Sequence, residues 1–147
     1  MVRMKDVADD LETRLGAAVR LKEMGEGAAS RKPAPDKWSP KETIGHLIDS
    51  AANNHQRFVR MQMEKHLELA GYDGDAWVRV ERYQDRTWLD LIALWESYNR
   101  HLAHLIRTVD PLAPRNTWRS PDGEIVDLEF VMRDYVVHMQ HHLDQIL

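Results

Sequence analysis

The 147-residue chain contains no cysteine, and this absence removes several kinds of chemistry at once. Disulfide bonds, thiolate metal ligands and a cysteine nucleophile are all excluded. Any transition-metal site must therefore be built from imidazole and carboxylate groups, for which eight histidines are available.

The sequence also lacks an excess of positive charge and lacks long hydrophobic runs. The formal net charge is −4, so there is no general basic field to attract nucleic acid. No stretch approaches the ~18 apolar residues that a membrane-spanning helix needs, and the N-terminus has no apolar signal-peptide core. We therefore expect a cytoplasmic protein that binds neither nucleic acid nor membranes.

Four stretches show the apolar periodicity of amphipathic helices. They extend over about Met4–Met24, Pro40–Leu69, Thr87–Val109 and from Leu128 to the C-terminus. This pattern predicts an all-α protein, folded as a four-helix bundle with long connections between helices and a single domain over residues 1–147. The predicted core contains Leu47, Ile48, Phe58, Leu94, Trp95, Leu102, Tyr135 and Met139.

Short polar signals mark where the helices begin. Ser39, followed by a proline and then Glu42, predicts a capping box, and Thr87 with Asp90 resembles a second one. Asp127 is the expected cap of the last helix. In the connections, Pro121-Asp-Gly predicts a tight turn in a small hairpin or an ordered loop, whereas Asp73-Gly-Asp is typical of a loop.

Three histidines are the candidate metal ligands. His138 and His142 stand four residues apart on the last helix, which puts both rings on one face, one turn apart. His46, near the start of the second helix, offers a third ligand. A helical wheel places His46 almost opposite the apolar stripe, so it can bind a metal only if another segment covers that face.

The remaining histidines are expected to have other roles. His55 lies in the middle of the apolar stripe and is best explained as a hydrogen-bonded core residue. His101 and His104 form a rival pair, but they lie on an exposed face with no third histidine nearby. His66 and His141 are expected to be solvated surface residues.

Other polar residues near the proposed ligands are candidates for supporting roles. Asp134, one turn before His138, and Asp49, near His46, could orient the ligating rings, although a solvated acid is an equally good explanation for Asp134. Asn53 and Arg57 extend a polar strip along the His46 face. Arg57 could hold a substrate carboxylate, or it could simply be a solvated surface residue.

A resemblance to a known family rests on three segments. They are Trp38-Ser-Pro-x-Glu42-x-x-x-His46-Leu-x-Asp49, a helix with Trp88, Trp95 and Asn99, and the closing Tyr135-x-x-His138-x-x-x-His142. Together they resemble the DinB/YfiT-like family from about Pro35 to the C-terminus. The resemblance implies a four-helix bundle that holds one divalent metal, commonly nickel or zinc, through His46, His138 and His142. Members of that family include enzymes that use low-molecular-weight thiols, and many others described only as metal-dependent hydrolases.

The leading hypothesis is a metal-dependent enzyme that acts on a small molecule, either a thiol-dependent S-transferase or a hydrolase. Three histidine ligands leave coordination positions open, as catalytic sites require. One alternative is a non-catalytic metal-binding bundle with a stress-associated or ligand-binding role, and another is a helical interaction module with incidental histidines. The sequence identifies no catalytic base, and it leaves the assembly state open between a monomer and a homodimer.

Overall fold

The computed structural model describes residues 3–147, and most of this range is helical. The helices are α1 (Met4–Arg14), α2 (Ala18–Glu23), α3 (Glu26–Ala29), α4 (Pro40–Met63), α5 (Gly74–Glu81), α6 (Trp88–Arg107) and α7 (Leu128–Ile146). The strands are β1 (His66–Leu67), β2 (Thr117–Arg119) and β3 (Ile125–Asp127).

The four-helix bundle is formed by α1, α4, α6 and α7, as the periodicity predicted. Helix α1 packs against α6 and α7, and α4 packs against the same two helices from the other side. The first predicted helix is divided by a 3-10 turn over Leu15–Ala17, after which α2 continues along α6. No helix within residues 3–147 is both long enough and apolar enough to cross a membrane.

All three helix starts lie where they were predicted, and two of the three predicted capping interactions are confirmed. Ser39 Oγ accepts a hydrogen bond from the Glu42 backbone N–H at 3.2 Å, and the Glu42 carboxylate accepts one from the Ser39 N–H at 3.0 Å. Asp127 caps α7 by accepting from the Phe130 N–H. The predicted box at the start of α6 is wrong, because the Thr87 side chain makes no capping bond there.

At that helix start a residue from a distant part of the chain supplies the cap. The Trp88 backbone N–H donates to the carboxylate of Glu26, which lies at the start of α3. Glu26 also pairs with Lys41 at 2.7 Å. A local sequence pattern cannot reveal a cap supplied from 62 positions away.

The predicted core is correct except at one position. Seven of the eight residues are buried, with exposures of 6% or less, but Leu94 is 39% exposed. On α6 the fully buried side chains include Leu91, Ile92, Trp95, Leu102 and Ile106, so the buried face is centred away from Leu94. The apolar stripe of α6 is thus wider than the surface that α6 buries against the other helices, and Leu94 lies at the solvent-exposed edge of the stripe.

The segment after α4 differs from the prediction. Helix α4 ends at Met63 instead of near Leu69, and β1 pairs with β2 in parallel. The predicted hairpin is present, since β2 and β3 pair antiparallel on either side of the predicted turn. Gly123 in that turn has φ +87°, a backbone conformation that glycine adopts readily.

Helix α5 was not predicted. Asp73, placed in a loop by its Asp-Gly-Asp context, is instead the N-cap of this helix and accepts from the Ala76 N–H at 3.1 Å. The helix has only eight residues. So short a segment spans about two turns, too few for an apolar periodicity to stand out.

Candidate metal centre

The structure brings the three predicted histidines together. Helix α4 supplies His46, which is 8% exposed, and α7 supplies the other two from successive turns. Nε2 of His138 lies 3.4 Å from Nε2 of His46 and 3.2 Å from Nε2 of His142. One potential ligand atom from each of the three rings lies within 4.8 Å of the other two.

Helix α5 explains how His46 can face this group from the side opposite the apolar stripe. A Cβ atom on Gly74, at the start of α5, would lie 3.1 Å from Cε1 of His46, so the imidazole packs directly against the helix backbone. The Trp38 ring covers another side, with its centroid 4.8 Å from that of His46. His46 could bind a metal only if another segment covered this face, and α5 and Trp38 provide that cover.

The environment keeps the three rings in their neutral form near pH 7. Burial, with the neighbouring histidines as a second cause, lowers the pKa of His46 to about 4 and that of His138 to about 4. Burial also lowers the pKa of His142. Neutral imidazole is the form that binds a metal ion, because a protonated ring has no free lone pair.

The spacing of the ring nitrogens fits a shared metal ion. For metal–nitrogen bonds of about 2.0–2.1 Å, neighbouring ligands of a tetrahedral site are about 3.3–3.4 Å apart. The two Nε2 distances of 3.2 and 3.4 Å are close to that edge length. No carboxylate of residues 3–147 belongs to this three-histidine group, so one ion held by it would keep open positions for water or substrate.

Neither predicted supporting carboxylate contacts a ligating ring. Asp134 is exposed, and within the described chain it makes no hydrogen bond to His138. Asp49 is buried and its Oδ1 lies 2.5 Å from the Tyr83 hydroxyl. The residue that does orient a ring is Gln145, whose Oε1 lies 3.1 Å from Nδ1 of His142 and can accept its proton, leaving Nε2 free for a metal.

The two predicted substrate-binding residues have different surroundings in the structure. The Asn53 amide donates to the Asp49 backbone carbonyl at 2.9 Å and so is engaged within its own helix. Arg57 lines a cavity that also reaches His138. We call this the Arg57 cavity; it has a volume of about 380 Å³, and its inner wall includes Ser50, Asn54, Arg57, Tyr72, Trp118, Tyr135 and His138.

A second cavity adjoins the histidines from the other side. We call it the His142 cavity; its volume is about 790 Å³ and its lining includes Pro33, Trp38, Pro40, Thr43, His142 and Ile146. The three histidines therefore have space on two sides, one through His138 and one through His142.

The remaining histidines lie outside this group, as predicted. His55 is partly buried and its Nδ1 lies 2.9 Å from the Tyr98 hydroxyl. His101 and His104 are exposed on α6. His66 lies in β1, where it contacts Thr117 and Glu68, and His141 is exposed on α7.

Two relatives show what the chain is similar to in sequence. "Putative metal-dependent hydrolase YfiT" of Bacillus subtilis is 27% identical over 110 residues, covering 74% of this chain and 62% of that protein. "Putative metal-dependent hydrolase BH0277" of Halalkalibacterium halodurans is 26% identical over 109 residues, covering 74% and 63%. The aligned part thus spans less than two-thirds of the length of these relatives.

A solved structure shares the fold. YfiT from Bacillus subtilis, described as a probable metal-dependent hydrolase with an unusual four-helix bundle topology, superposes with a TM-score of 0.81. The match has 24% sequence identity and covers 97% of this chain and 81% of the other. The family model of the DinB superfamily matches residues 11–146, which include all three histidines of the candidate metal centre and nearly the whole bundle. The chain therefore belongs to the DinB superfamily, the family that its short histidine and tryptophan motifs resemble.

Proposed function

We propose that His46, His138 and His142 hold one divalent metal ion, and that the protein is a metal-dependent enzyme acting on a small molecule. The observation that carries this proposal is the convergence of three neutral imidazoles from two helices, with Nε2 separations of 3.2 and 3.4 Å. Nickel and zinc are the proposed metals, since both accept imidazole ligands readily.

A metal held by these three histidines would supply Lewis-acid chemistry: it would lower the pKa of a bound water or thiol, or polarise a carbonyl group. The protein's own groups prepare the position. Gln145 fixes the ring of His142, and Trp38 covers the edge of the site beside His46 and His142. The closely packed α5 backbone restricts the ring of His46. Such restriction keeps the ligands oriented before a metal binds, which strengthens binding.

Two reaction classes follow from different observations. Hydrolysis is supported by the names of the relatives, which are metal-dependent hydrolases. Thiol-dependent S-transfer is supported by the two cavities, because a transferase needs room for a thiol and for its electrophilic partner on either side of the metal. The partner would then be a low-molecular-weight thiol. A non-catalytic metal-binding bundle is the alternative to both.

The first experiment is metal analysis of protein purified without a histidine tag and dialysed against metal-free buffer. We expect close to one equivalent of a divalent metal, and the absence of any retained or re-bindable metal would contradict the proposal. The metal-loaded protein is then assayed with a panel of esters and amides, and separately with thiols and an electrophile. His138→Ala should abolish turnover and His104→Ala should not. Full metal occupancy with no turnover in either panel would favour the non-catalytic alternative.

A further inference from the structure

Arg57 is a largely buried cation without a carboxylate partner in the described part of the chain. Its only hydrogen bond there runs from Nη1 to Oδ1 of Asn54 at 3.2 Å. The Nε atom is buried and has no partner. Removing a guanidinium from water is unfavourable unless an anion or other acceptors replace the lost hydration. The N–H donors of Arg57 that have no partner are therefore available to bind an anionic ligand.

The position of Arg57 is fixed before any ligand arrives. Its guanidinium lies over the ring of Trp118, 4.2 Å from the centroid. Trp118 is 5% exposed, lies in β2 between two paired strands, and donates its indole N–H to the Leu69 carbonyl at 2.8 Å. A cation stacked on an immobile ring loses little further freedom when it binds an anion. The three-stranded sheet thus acts as a support for this one side chain.

Arg57 shares its cavity with one of the proposed metal ligands. The Arg57 cavity extends from the guanidinium to His138, and aromatic rings of Tyr72, Trp118 and Tyr135 form part of its wall. Its volume of about 380 Å³ is suited to a small molecule. A ligand anchored at Arg57 would therefore extend toward the three histidines.

The exposed side of the same cavity has the opposite charge. Asp122, Glu124 and Asp134 line it, all three are exposed, and none forms an ion pair with another described residue. Three carboxylates repel a multiply charged anion such as phosphate and attract an ammonium group. The cavity thus combines one inner cation with an acidic mouth, defined by these three residues.

We propose that the Arg57 cavity binds a small zwitterionic molecule of amino-acid type. Its carboxylate pairs with Arg57, whose planar donors match the two carboxylate oxygens, and its ammonium group lies at the acidic mouth. That this ligand is the substrate rests on the proposed metal function, because the cavity reaches His138. The binding subsite itself depends only on the Arg57 cavity and can be tested in metal-free protein.

The test is a titration of ¹⁵N-labelled, metal-free protein, followed by the chemical shifts of the Arg57 Nε–H and the Trp118 indole N–H. The probes are glycine, β-alanine, 4-aminobutanoate and 6-aminohexanoate, compared with hexanoate, hexylamine and inorganic phosphate. We expect at least one amino acid of the series to bind more tightly than hexanoate, hexylamine and phosphate, and to shift both signals. Phosphate binding as tightly as every amino acid would overturn the proposal.

Substitutions of Arg57 test whether it binds the carboxylate end of the ligand. Arg57→Gln should weaken binding of the best amino acid about tenfold or more, because a charge-assisted bidentate contact is lost. Arg57→Lys, which keeps the charge but not the paired donors, should give an intermediate loss. Arg60→Gln, one turn away on the same helix, is the matched control and should bind normally. Unchanged affinity in Arg57→Gln would overturn the assignment.

The acidic mouth is tested with the double substitution Glu124→Gln, Asp134→Asn. The preference for the amino acid over hexanoate should disappear, with hexanoate bound at least as tightly as before; a preserved preference would contradict the zwitterionic assignment. Thermal unfolding of each variant checks that it is folded. If the protein binds no metal but still binds the amino acid through Arg57, the proposed function is wrong and this inference is not. Full metal occupancy without amino-acid binding would refute only this inference.

Discussion

The Tyr83 hydroxyl lies 2.5 Å from Oδ1 of Asp49, and this contact joins the segment after α5 to the helix that carries His46. The same hydroxyl lies 2.9 Å from Oε2 of Glu81. One hydroxyl hydrogen cannot serve two carboxylates. Both hydrogen bonds can form at once when Asp49 is protonated and donates to the Tyr83 oxygen, while Tyr83 donates to Glu81.

Asp49 therefore makes stability depend on pH. Burial raises the pKa of Asp49 from 3.8 to about 7, with the Glu81 carboxylate also raising it. A group with a raised folded-state pKa stabilises the protein fully below its unfolded pKa, and this contribution is lost as the pH rises through the folded pKa. We expect Asp49→Asn to remove this loss, so that the variant gains stability relative to wild type between pH 5 and pH 8.

The measurement is urea unfolding of metal-free protein at both pH values. The buried histidines titrate in wild type and variant alike, so the difference between the two proteins isolates Asp49. Asp134→Asn is the control. This acid is exposed on α7, so its substitution should change the free energy of unfolding by the same amount at pH 5 and at pH 8. A stability difference between Asp49→Asn and wild type that does not change with pH would show that Asp49 is already ionised at pH 5.

Gly45 lies where α4 and the segment after α5 approach each other closely. A Cβ atom at this position would lie 2.0 to 2.5 Å from three ring atoms of Tyr83, which is buried and held by Asp49. The ring cannot move aside easily, so Gly45→Ala should destabilise the protein by about 1–3 kcal/mol. The same displacement should weaken metal binding, because the backbone beside His46 is moved.

Gly27→Ala is the matched control for that substitution. Gly27 lies in α3 with no atom within 4 Å of an added Cβ, so alanine should leave stability unchanged or slightly raised. Chemical denaturation and metal titration of both variants provide the comparison. Equal stability of the two alanine variants would mean that Tyr83, in the segment after α5, does not pack closely on α4 at Gly45.

Leu102 and Leu94 provide a direct test of how α6 faces the bundle. Leu102 is fully buried, whereas Leu94 is 39% exposed. Leu102→Ala should lower the free energy of unfolding by about 2–5 kcal/mol. Leu94→Ala should lower it by about 1 kcal/mol or less. A larger loss at Leu94 would place that side chain in a contact beyond the bundle described here.

The sequence contains enough information to predict the bundle and to select the three histidines. Long periodic stripes, the Ser39 cap and the i, i+4 spacing of His138 and His142 are local patterns, so they can be read without tertiary structure. The position of Leu94 could not be predicted with the same certainty. A stripe gives the direction of the apolar face, but the width of the contact depends on the neighbouring helices.

The surroundings of the histidines depend on contacts between distant segments. Helix α5 covers His46, and Trp118 in β2 supports Arg57, yet neither partner is near its target in the sequence. The sequence predicts Asp134 as a supporting residue because it lies one turn before His138, but its side chain is exposed. Gln145, one turn after His142, carries the same kind of local signal, but an amide is a less usual partner for a ligating histidine than a carboxylate.

Replacing any one of the three histidines should strongly reduce metal binding, whereas replacing His101 or His104 should not. His46→Ala, His138→Ala and His142→Ala each remove one of the converging imidazoles, and two remaining ligands hold a divalent ion far more weakly than three. We expect each variant to retain much less than one equivalent after dialysis. His101→Ala and His104→Ala, on the exposed face of α6, are controls with the same substitution and should retain the wild-type amount. Elemental analysis gives the metal content, and circular dichroism shows whether each variant keeps its helices. Metal loss of equal size in both sets would mean that the ion is bound elsewhere or that the substitutions act through folding.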